Sequence, residues 1–291
     1  MSGQLKEVRL RIKSVQTTQQ ITKAMKMVSA AKLRRAQDAI TQMRPYAEKL
    51  QDMLSSIVSD GAAGGVLSQE REVKNVLFIL VTSDRGLCGA FNTNLYKTAI
   101  ARIEEKYQAQ QASGNVQILS IGKKGAEAFE RVGYSVNKDH MGIFSNLTFD
   151  NVKKAAEYAR QQFVEGNYDA VEVVYSRFKN AATQEMVSEP HLPIPKAEKA
   201  DDGHASDFIF EPSKEVLIEE LMPKILNTQV YKAVLDSNAS EHGARMTAMD
   251  KATENAQELL KDLRISYNRA RQAAITTELT EIVSGAAALE G

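Results

Sequence analysis

The chain has 291 residues, one cysteine, no tryptophan and a formal net charge of zero, from 37 Lys and Arg against 37 Asp and Glu. A single cysteine excludes an internal disulfide framework and is typical of a reducing compartment. The balanced charge gives no support to a nucleic-acid-binding class. No apolar run approaches the ~20 residues that cross a bilayer, so we expect a soluble or peripheral protein.

Residues 4–58 are predicted to form one long helix. Sixteen positions from Leu5 to Ile57 keep a 3-4 spacing, and twelve of them are apolar. This spacing is typical of a coiled-coil seam in a helix roughly 80 Å long. The four polar positions are consecutive in the seam: Gln19, Thr22, Lys26 and Ser29. They indicate an interruption where the helix faces something else.

The same helix is strongly basic, since residues 1–50 hold eleven Lys and Arg but three Asp and Glu. Beside the polar positions, apolar residues move to another face of the helix, at Ile21, Met25 and Val28. Such a surface fits a partner with apolar area and carboxylates; a solvated helix face is the alternative. The basic side chains of this stretch are Lys23, Lys26, Lys32, Arg34 and Arg35.

The middle of the chain alternates between strand and helix patterns. Strands are predicted at 76–82, 116–121, 134–139 and 170–176, with helices at 92–111, 123–132 and 150–164. This alternation predicts a doubly wound, mostly parallel α/β domain over residues 73–212. Three prolines, Pro190, Pro193 and Pro195, indicate an exposed loop, and residues 207–212 are a candidate edge strand.

Helical periodicity returns at residue 213 and continues almost to the end. Its seam runs from Ile218 to Thr277, with thirteen of eighteen positions apolar, and Pro223 is expected to kink or delay the helix. Each long helix covers the other's stripe most simply as an antiparallel, left-handed coiled coil. If Leu5 lies opposite residues 265–274, the polar positions fall opposite 241–255.

This pattern divides the chain into three parts: residues 1–60 and 213–291 as the two coiled-coil helices, and 73–212 as the α/β domain. The C-terminal helix is the longer, and its seam weakens beyond Ala274. We therefore expect its tip to overhang. An apolar sleeve would accept this tip, and a frayed terminus is the alternative.

Two loops at strand ends, 83–92 and 122–125, are candidate phosphate sites. Their glycines follow a G-x-x-G spacing that matches neither the dinucleotide fingerprint nor the P-loop. Tight turns, with Asp84 and Arg85 pairing locally, fit these loops better. Cys88 is either a nucleophile or, as we favour, a packed thiol. The four histidines lack metal-ligand spacing. No catalytic, cofactor or metal residue is therefore predicted.

Four blocks in chain order resemble the gamma subunit family of F-type ATP synthases. They are residues 21–28 (ITKAMKMV), 83–89 (SDRGLCG), 240–249 (SEHGARMTAM) and the tail at 275–286. The resemblance covers nearly the whole chain. It implies a central rotor shaft that turns with a membrane c-ring and drives three beta subunits through their binding states. Its implied partners are the alpha and beta subunits, in a 3:3:1 alpha:beta:gamma complex, the epsilon subunit and the c-ring. It implies no binding to nucleic acid and no direct insertion into the bilayer.

The resemblance also implies contact residues. Those facing an acidic lever loop of the beta subunits are Met25, Lys26, Lys32, Arg34 and Arg35. Arg245 and Gln272 match positions that hydrogen-bond a beta-subunit loop, and Thr276, Glu278 and Leu279 belong to the tip in its bearing. Phe208, Phe210 and Glu211 match a foot segment on the c-ring, where the family often has Tyr in place of Phe.

The beginning of the sequence shows no transit-peptide pattern. By the resemblance we therefore expect a peripheral protein on the cytoplasmic face of a bacterial plasma membrane. Two alternatives stay open from the sequence. One is a nucleotide-binding α/β enzyme with coiled-coil arms, which would bind nucleotide saturably. The other is a basic coiled-coil adaptor, whose binding to DNA would depend steeply on salt.

Overall fold

The computed structural model describes residues 2–59, 65–181, 183–195 and 214–290. Within these residues there are six α-helices: α1 Ser2–Ser59, α2 Phe91–Lys106, α3 Gln108–Ala112, α4 Lys123–Val132, α5 Phe149–Val164 and α6 Lys214–Glu290. Short 3-10 helices lie at Gly65–Ser68 and Met141–Ser145. None of the helices in these ranges combines the length and apolarity that a membrane span needs.

One five-stranded sheet occupies the centre of the described chain. Its strands are β1 Val76–Val81, β2 Val116–Ile121, β3 Ser135–Asn137, β4 Ala170–Phe178 and β5 Gln184–Leu192. They lie in the order β3-β2-β1-β4-β5. All neighbours pair in parallel except β4 and β5, which are antiparallel. The predicted mostly parallel α/β domain is confirmed.

Strand β1 shows why the sheet has helices on both faces. All six of its residues are buried, and successive side chains point to opposite sides. Leu77 and Ile79 belong to a core with α5 and α6, whereas Phe78 and Leu80 pack with α2 and α4. Burying a side chain of this size contributes about 1.5–3 kcal/mol. The continuous apolar run in the sequence is therefore a strand buried on both sides.

The prediction of an exposed loop is wrong for the first of its three prolines. Pro190 lies in β5 opposite Glu172, beside a shift in register between Val171 and Glu172. An edge strand tolerates proline at such an irregularity, because the missing N–H faces away from the ladder. His191 and Leu192 are buried rather than exposed. The candidate edge strand at 207–212 lies outside the described residues.

Two helix predictions also need correction. The helix expected over 92–111 is two helices, since α2 ends at Lys106 and α3 begins at Gln108, with the buried Tyr107 between them. Pro223 does not delay α6, which begins at Lys214 and continues through the proline. Pro223 is the tenth residue of α6, so it removes one backbone hydrogen bond inside the helix without ending it.

Contacts within the chain define two compact units. The first combines Met1–Ser29 with Met246–Gly291, and the second is Ala30–Arg245. This division cuts both long helices. The division into 1–60, 73–212 and 213–291 follows secondary structure instead and stays a prediction.

Candidate functional site

In the first unit, the polar seam positions of α1 are matched by polar groups of α6. The Thr22 and Thr253 hydroxyl oxygens lie 2.8 Å apart, and the Lys26 ammonium lies 2.5 Å from Asp250 Oδ1. The later residue of α1, Lys26, pairs with the earlier residue of α6, Asp250, so the two segments are antiparallel, as predicted. Thr22 is buried. The interruption in the apolar pattern is thus a partly buried polar layer, in which the Lys26 and Asp250 side chains are 41% and 44% exposed. We name Thr22, Lys26, Asp250 and Thr253 the polar layer.

A different face of the same α1 segment is exposed and apolar. Ile21, Met27 and Val28 are 54%, 60% and 57% exposed, and Met25 is half-buried. Lys23 is exposed beside them. Apolar side chains that cluster on an exposed face, next to a basic group, are typical of a protein-binding surface. Lys26 differs from the expectation for the basic cluster, because Asp250 already pairs with it.

In the second unit, α1 continues with an exposed basic face. Lys32, Arg34 and Arg35 are exposed, while Leu33 and Ala36 point to the buried side. The helix therefore separates an apolar stripe from a cationic one by its 3.6-residue period. These three cations are accessible to an acidic partner.

The end of α6 extends past the start of α1. Counting back from Thr22 and Thr253, Ser2 comes opposite about residue 273. Gln272, Thr276, Glu278 and Leu279 are exposed. The Thr276 hydroxyl donates to its own helix, at the Gln272 carbonyl 3.0 Å away. The overhanging tip expected beyond Ala274 is confirmed, and it carries exposed apolar residues at Ile275, Leu279, Ile282 and Val283.

The candidate phosphate loops of the second unit are filled by the protein itself. The backbone N–H of Lys123 donates to Asp84 Oδ1 at 3.1 Å, and that of Gly125 donates to Thr82 Oγ1 at 2.9 Å. A Cβ at Gly122 would lie 2.2 Å from the Thr82 carbonyl oxygen. The N-terminal amides of α4, which would bind a phosphate, are therefore occupied. Asp84 bonds to α4 rather than to Arg85, which corrects the predicted local pair.

Helix α6 covers the point where the sheet reverses its strand order. In open α/β sheets, ligands bind at the carboxyl ends of the strands at this reversal, here between β1 and β4. Ser237 Oγ accepts from the Ser176 N–H at 2.9 Å, and the Ser240 hydroxyl donates to the Ser176 carbonyl at 3.2 Å. The sequence did not predict this contact of Ser237 and Ser240, although Ser240 begins one of the four resembling blocks, because helical serines carry no distinguishing pattern.

Arg245 completes this contact from the same helix. Its guanidinium donates to the carbonyl oxygens of Arg85 and Gly86, at 2.8 and 3.2 Å, and to Glu241 Oε1 at 2.5 Å. The side chain is 10% exposed. The structure thus shows Arg245 bonded within the chain. Its contact with a beta subunit, which the resemblance implies, stays a prediction. Gln272 differs in being exposed.

The titratable groups near these loops are tuned by burial. Burial raises the pKa of the Cys88 thiol, so that the reactive thiolate is disfavoured. The thiol is 1% exposed, as expected for packing. Burial, with Arg245 and Lys32 nearby, lowers the pKa of His242 to about 4. Within the described ranges, no group of three or more His, Cys, Asp or Glu could hold a metal ion.

The predicted foot residues Phe208, Phe210 and Glu211 lie outside the described residues. Their contact with a c-ring stays a prediction that rests on the resemblance alone.

The fold and these surfaces define a class: two long, antiparallel helices joined to a doubly wound α/β domain whose ligand crevice is closed. A family model described as ATP synthase matches residues 4–289. Curated relatives named ATP synthase gamma chain are similar over the full length. The chain is 56% identical to that of Cytophaga hutchinsonii, covering 98% of both chains. It is 53% identical to that of Flavobacterium psychrophilum, covering 99% of both. The chain belongs to the ATP synthase gamma chain family.

Solved structures share the fold at lower identity. A chain of the Euglena gracilis mitochondrial ATP synthase, in a cryo-EM structure of OSCP, F1 and c-ring, aligns with a TM-score of 0.71 at 21% identity, covering 99% of this chain and 95% of that one. A chain of the central stalk and c-ring of the Tetrahymena thermophila enzyme aligns at 0.56 and 24%, covering 80% and 99%. The fold, with its long terminal helices and its α/β domain, is therefore one these chains share.

Proposed function

We propose that this chain is the central rotor shaft of a proton-translocating F-type ATP synthase. In this role it turns with the c-ring and forces the beta subunits through their binding states. The observation that carries the proposal is the identity of 50–56% with curated gamma chains along nearly the whole sequence. A stiff two-helix rod suits the transmission of torque, since a lone helix of this length would bend and twist.

The chain itself performs no bond chemistry in this proposal. The closed crevice at the strand ends supports a mechanical role, because the amides and carbonyls that a nucleotide would need are bonded internally. Synthesis and hydrolysis of ATP then belong to the beta subunits. This differs from the nucleotide-binding enzyme considered from the sequence.

The exposed surfaces receive partners in this proposal. The apolar face around Met25 and the cations Lys32, Arg34 and Arg35 meet the acidic lever loops of the beta subunits. Thr276, Glu278 and Leu279 turn in a sleeve formed by the ring of three alpha and three beta subunits, and Gln272 contacts a beta-subunit loop. The exposure of the tip supports this assignment.

The α/β domain stands outside that ring, with the epsilon subunit and the c-ring. Phe208, Phe210 and Glu211 contact the c-ring in this proposal. The chain is then a peripheral protein on the cytoplasmic face of a bacterial plasma membrane, held there by its partners.

Purification from the source membrane tests the proposal. We expect the chain to co-purify with alpha and beta subunits at a fixed 3:3:1 ratio. We also expect truncation after Ala274 to leave the α/β domain folded and to impair coupling or assembly. A chain that purifies alone and binds nucleotide saturably would contradict the rotor assignment. Unfolding of the α/β domain by the truncation would show that the tip is structural.

A further inference from the structure

The contact between α6 and the strand ends is a joint with three separate bonding sites. We name it the α6 joint, and its residues are Ser176, Ser237, Ser240, Arg245, Arg85 and Gly86. Ser237 and Ser240 bond both backbone groups of Ser176, near the carboxyl end of β4. Arg245 bonds the loop after β1. Because β1 and β4 are neighbours in the sheet, the joint ties α6 to both strands that border the reversal.

The geometry around Arg245 is specific to a guanidinium. One nitrogen, Nη2, donates to two successive carbonyls, and the other, Nη1, donates to Glu241 one turn back on α6. A planar fork with five donors can do this, whereas a lysine ammonium is a compact point charge. Glu241 is itself buried and compensates the charge of Arg245. The pair is thus oriented toward the loop and not toward solvent.

The loop that Arg245 holds is in an unusual conformation. Leu87, directly after the two bonded carbonyls, has a φ of 62° and is 66% exposed. A positive φ is unfavourable for a residue with a Cβ and persists where surrounding contacts impose it. On the other side of α6, a Cβ at Gly243 would lie 3.2 Å from the Ala181 carbonyl oxygen. The helix therefore fits closely between the loop after β1 and the turn after β4.

We propose that Arg245 is a positioning residue of the rotor, which locks α6 to the α/β domain at the α6 joint and so transmits torque between them. This inference rests on the proposed rotor function and names the part that carries the load inside the chain. The crevice that holds a ligand in other α/β proteins holds the protein's own shaft helix here. Apolar packing alone permits small sliding of a helix, while directional bonds to fixed carbonyls resist it.

The first measurement is hydrogen exchange on the assembled complex. Arg245→Gln removes the charged fork, and we expect amides of residues 83–91 to exchange about 10- to 100-fold faster, because charge-assisted hydrogen bonds to the loop are lost. Arg245→Lys should behave similarly, since it keeps the charge but not the fork. Arg264→Gln, an exposed position of α6, is the matched control for net charge and should leave this exchange unchanged.

The second measurement separates torque transmission from local stability. We expect Arg245→Gln to lower the ions transported per ATP hydrolysed by about twofold or more, measured in membrane vesicles. A disulfide between Ala181→Cys and Gly243→Cys should restore this ratio in the Arg245→Gln background, because it fixes α6 covalently to the turn after β4, where Ala181 Cα lies 3.3 Å from a Cβ built at Gly243. Reduction should abolish the rescue.

Faster exchange with an unchanged transport ratio would overturn the proposal, since Arg245 would then only stabilise the loop. Unchanged exchange would overturn it as well. A lowered ratio that the oxidised cross-link does not restore would show that α6 sliding is not the cause. The unsubstituted complex tests the rotor function separately, because that function fails if it hydrolyses ATP without transporting ions.

Discussion

Thr22 and Thr253 face each other across the antiparallel helices of the first unit, with their hydroxyl oxygens 2.8 Å apart. Each hydroxyl also lies near a carbonyl of its own helix, Thr22 Oγ1 3.1 Å from the Gln19 oxygen and Thr253 Oγ1 2.7 Å from the Met249 oxygen. Because each hydroxyl has one proton, the threonine that donates across the pair does not donate within its helix, and the accepting threonine does. A partly buried polar pair in an apolar seam costs stability but fixes one register, because any slip would leave it without a partner. The polar layer therefore sets how the two helices align.

Replacing both threonines by valine tests this directly. Each single valine variant should lower the free energy of unfolding by about 0.5–1.5 kcal/mol. The double variant, Thr22→Val with Thr253→Val, should lose less than the sum, because the second change no longer breaks a bond between the helices. Thermal and denaturant unfolding measure this. Thr17→Val is the control, since the Thr17 hydroxyl bonds only the Lys13 carbonyl on an exposed face. Strict additivity would show that the pair does not couple the helices.

A double leucine variant tests whether the polar layer is needed to couple ATP hydrolysis to ion transport or is only imperfect packing. Thr22→Leu with Lys26→Leu makes two of the four polar seam positions apolar, leaves Gln19 and Ser29, and removes the ion pair with Asp250. We expect a higher unfolding temperature together with fewer ions transported per ATP hydrolysed. If the helices become more stable and transport per ATP is unchanged, the interruption is only a packing defect.

Glu172 is predicted to make the α/β unit sensitive to acid. Burial alone would raise its pKa, but hydrogen bonds from Arg102, Tyr107 and Ser188 outweigh burial and hold the pKa below its usual value. The carboxylate is 1% exposed, and the Tyr107 hydroxyl donates to it at 2.7 Å. A lowered pKa in the folded state gives stability that is present above the unfolded value near 4.5 and is lost as pH falls through the folded one.

Glu172→Gln should therefore destabilise the protein by about 2–4 kcal/mol at pH 7 and flatten the loss of stability below pH ~5. Denaturant unfolding across pH measures both effects. Glu105→Gln is the matched control, because Glu105 pairs with the same Arg102 but is 74% exposed, and it should change little. If the free energy of unfolding of Glu172→Gln fell with acid as steeply as that of the unsubstituted protein, this account would be contradicted.

Asp236 is predicted to change stability with pH in the opposite direction to Glu172. Burial raises its pKa to about 6, against smaller opposing effects of Lys232, Arg177 and Arg44, with Glu189 also nearby. The folded state then binds a proton more readily than the unfolded state, so stability rises as pH falls from about 6 toward 4. The buried charge at pH 7 is the unfavourable form.

Asp236→Asn should raise the free energy of unfolding at pH 7.5 by about 1–3 kcal/mol, and the gain should disappear near pH 4. Unfolding at the two pH values measures it. Asp262→Asn, at an exposed position of α6, is the comparison. A loss of stability at pH 7.5 would show that the surrounding cations need the carboxylate more than burial disfavours it.

The sequence predicted those elements that have one dominant physical signal. The run from Val76 to Val81 is buried on both faces and needs no partner to be read as a strand. Strand β5 was missed because its residues are half-buried and Pro190 lies within it. An edge strand depends on pairing with β4, which no local pattern reports.

The candidate site divides in the same way. The heptad pattern located Thr22 and Lys26 and placed them opposite 241–255, which includes Asp250 and Thr253. The bonds from Arg245 to Arg85 and Gly86 join residues about 160 positions apart. Backbone carbonyls accept them, and any residue type supplies a carbonyl. No spacing in the sequence could indicate this contact.

Rotation of the chain within its complex tests the central claim most directly. Val132, 65% exposed at the end of α4, can be replaced by cysteine to attach a bead, since the buried Cys88 is protected from labelling. With the alpha and beta subunits fixed to a surface, ATP should turn the bead continuously in one direction. Hydrolysis of ATP by the same labelled complex while the bead stays still would contradict the account.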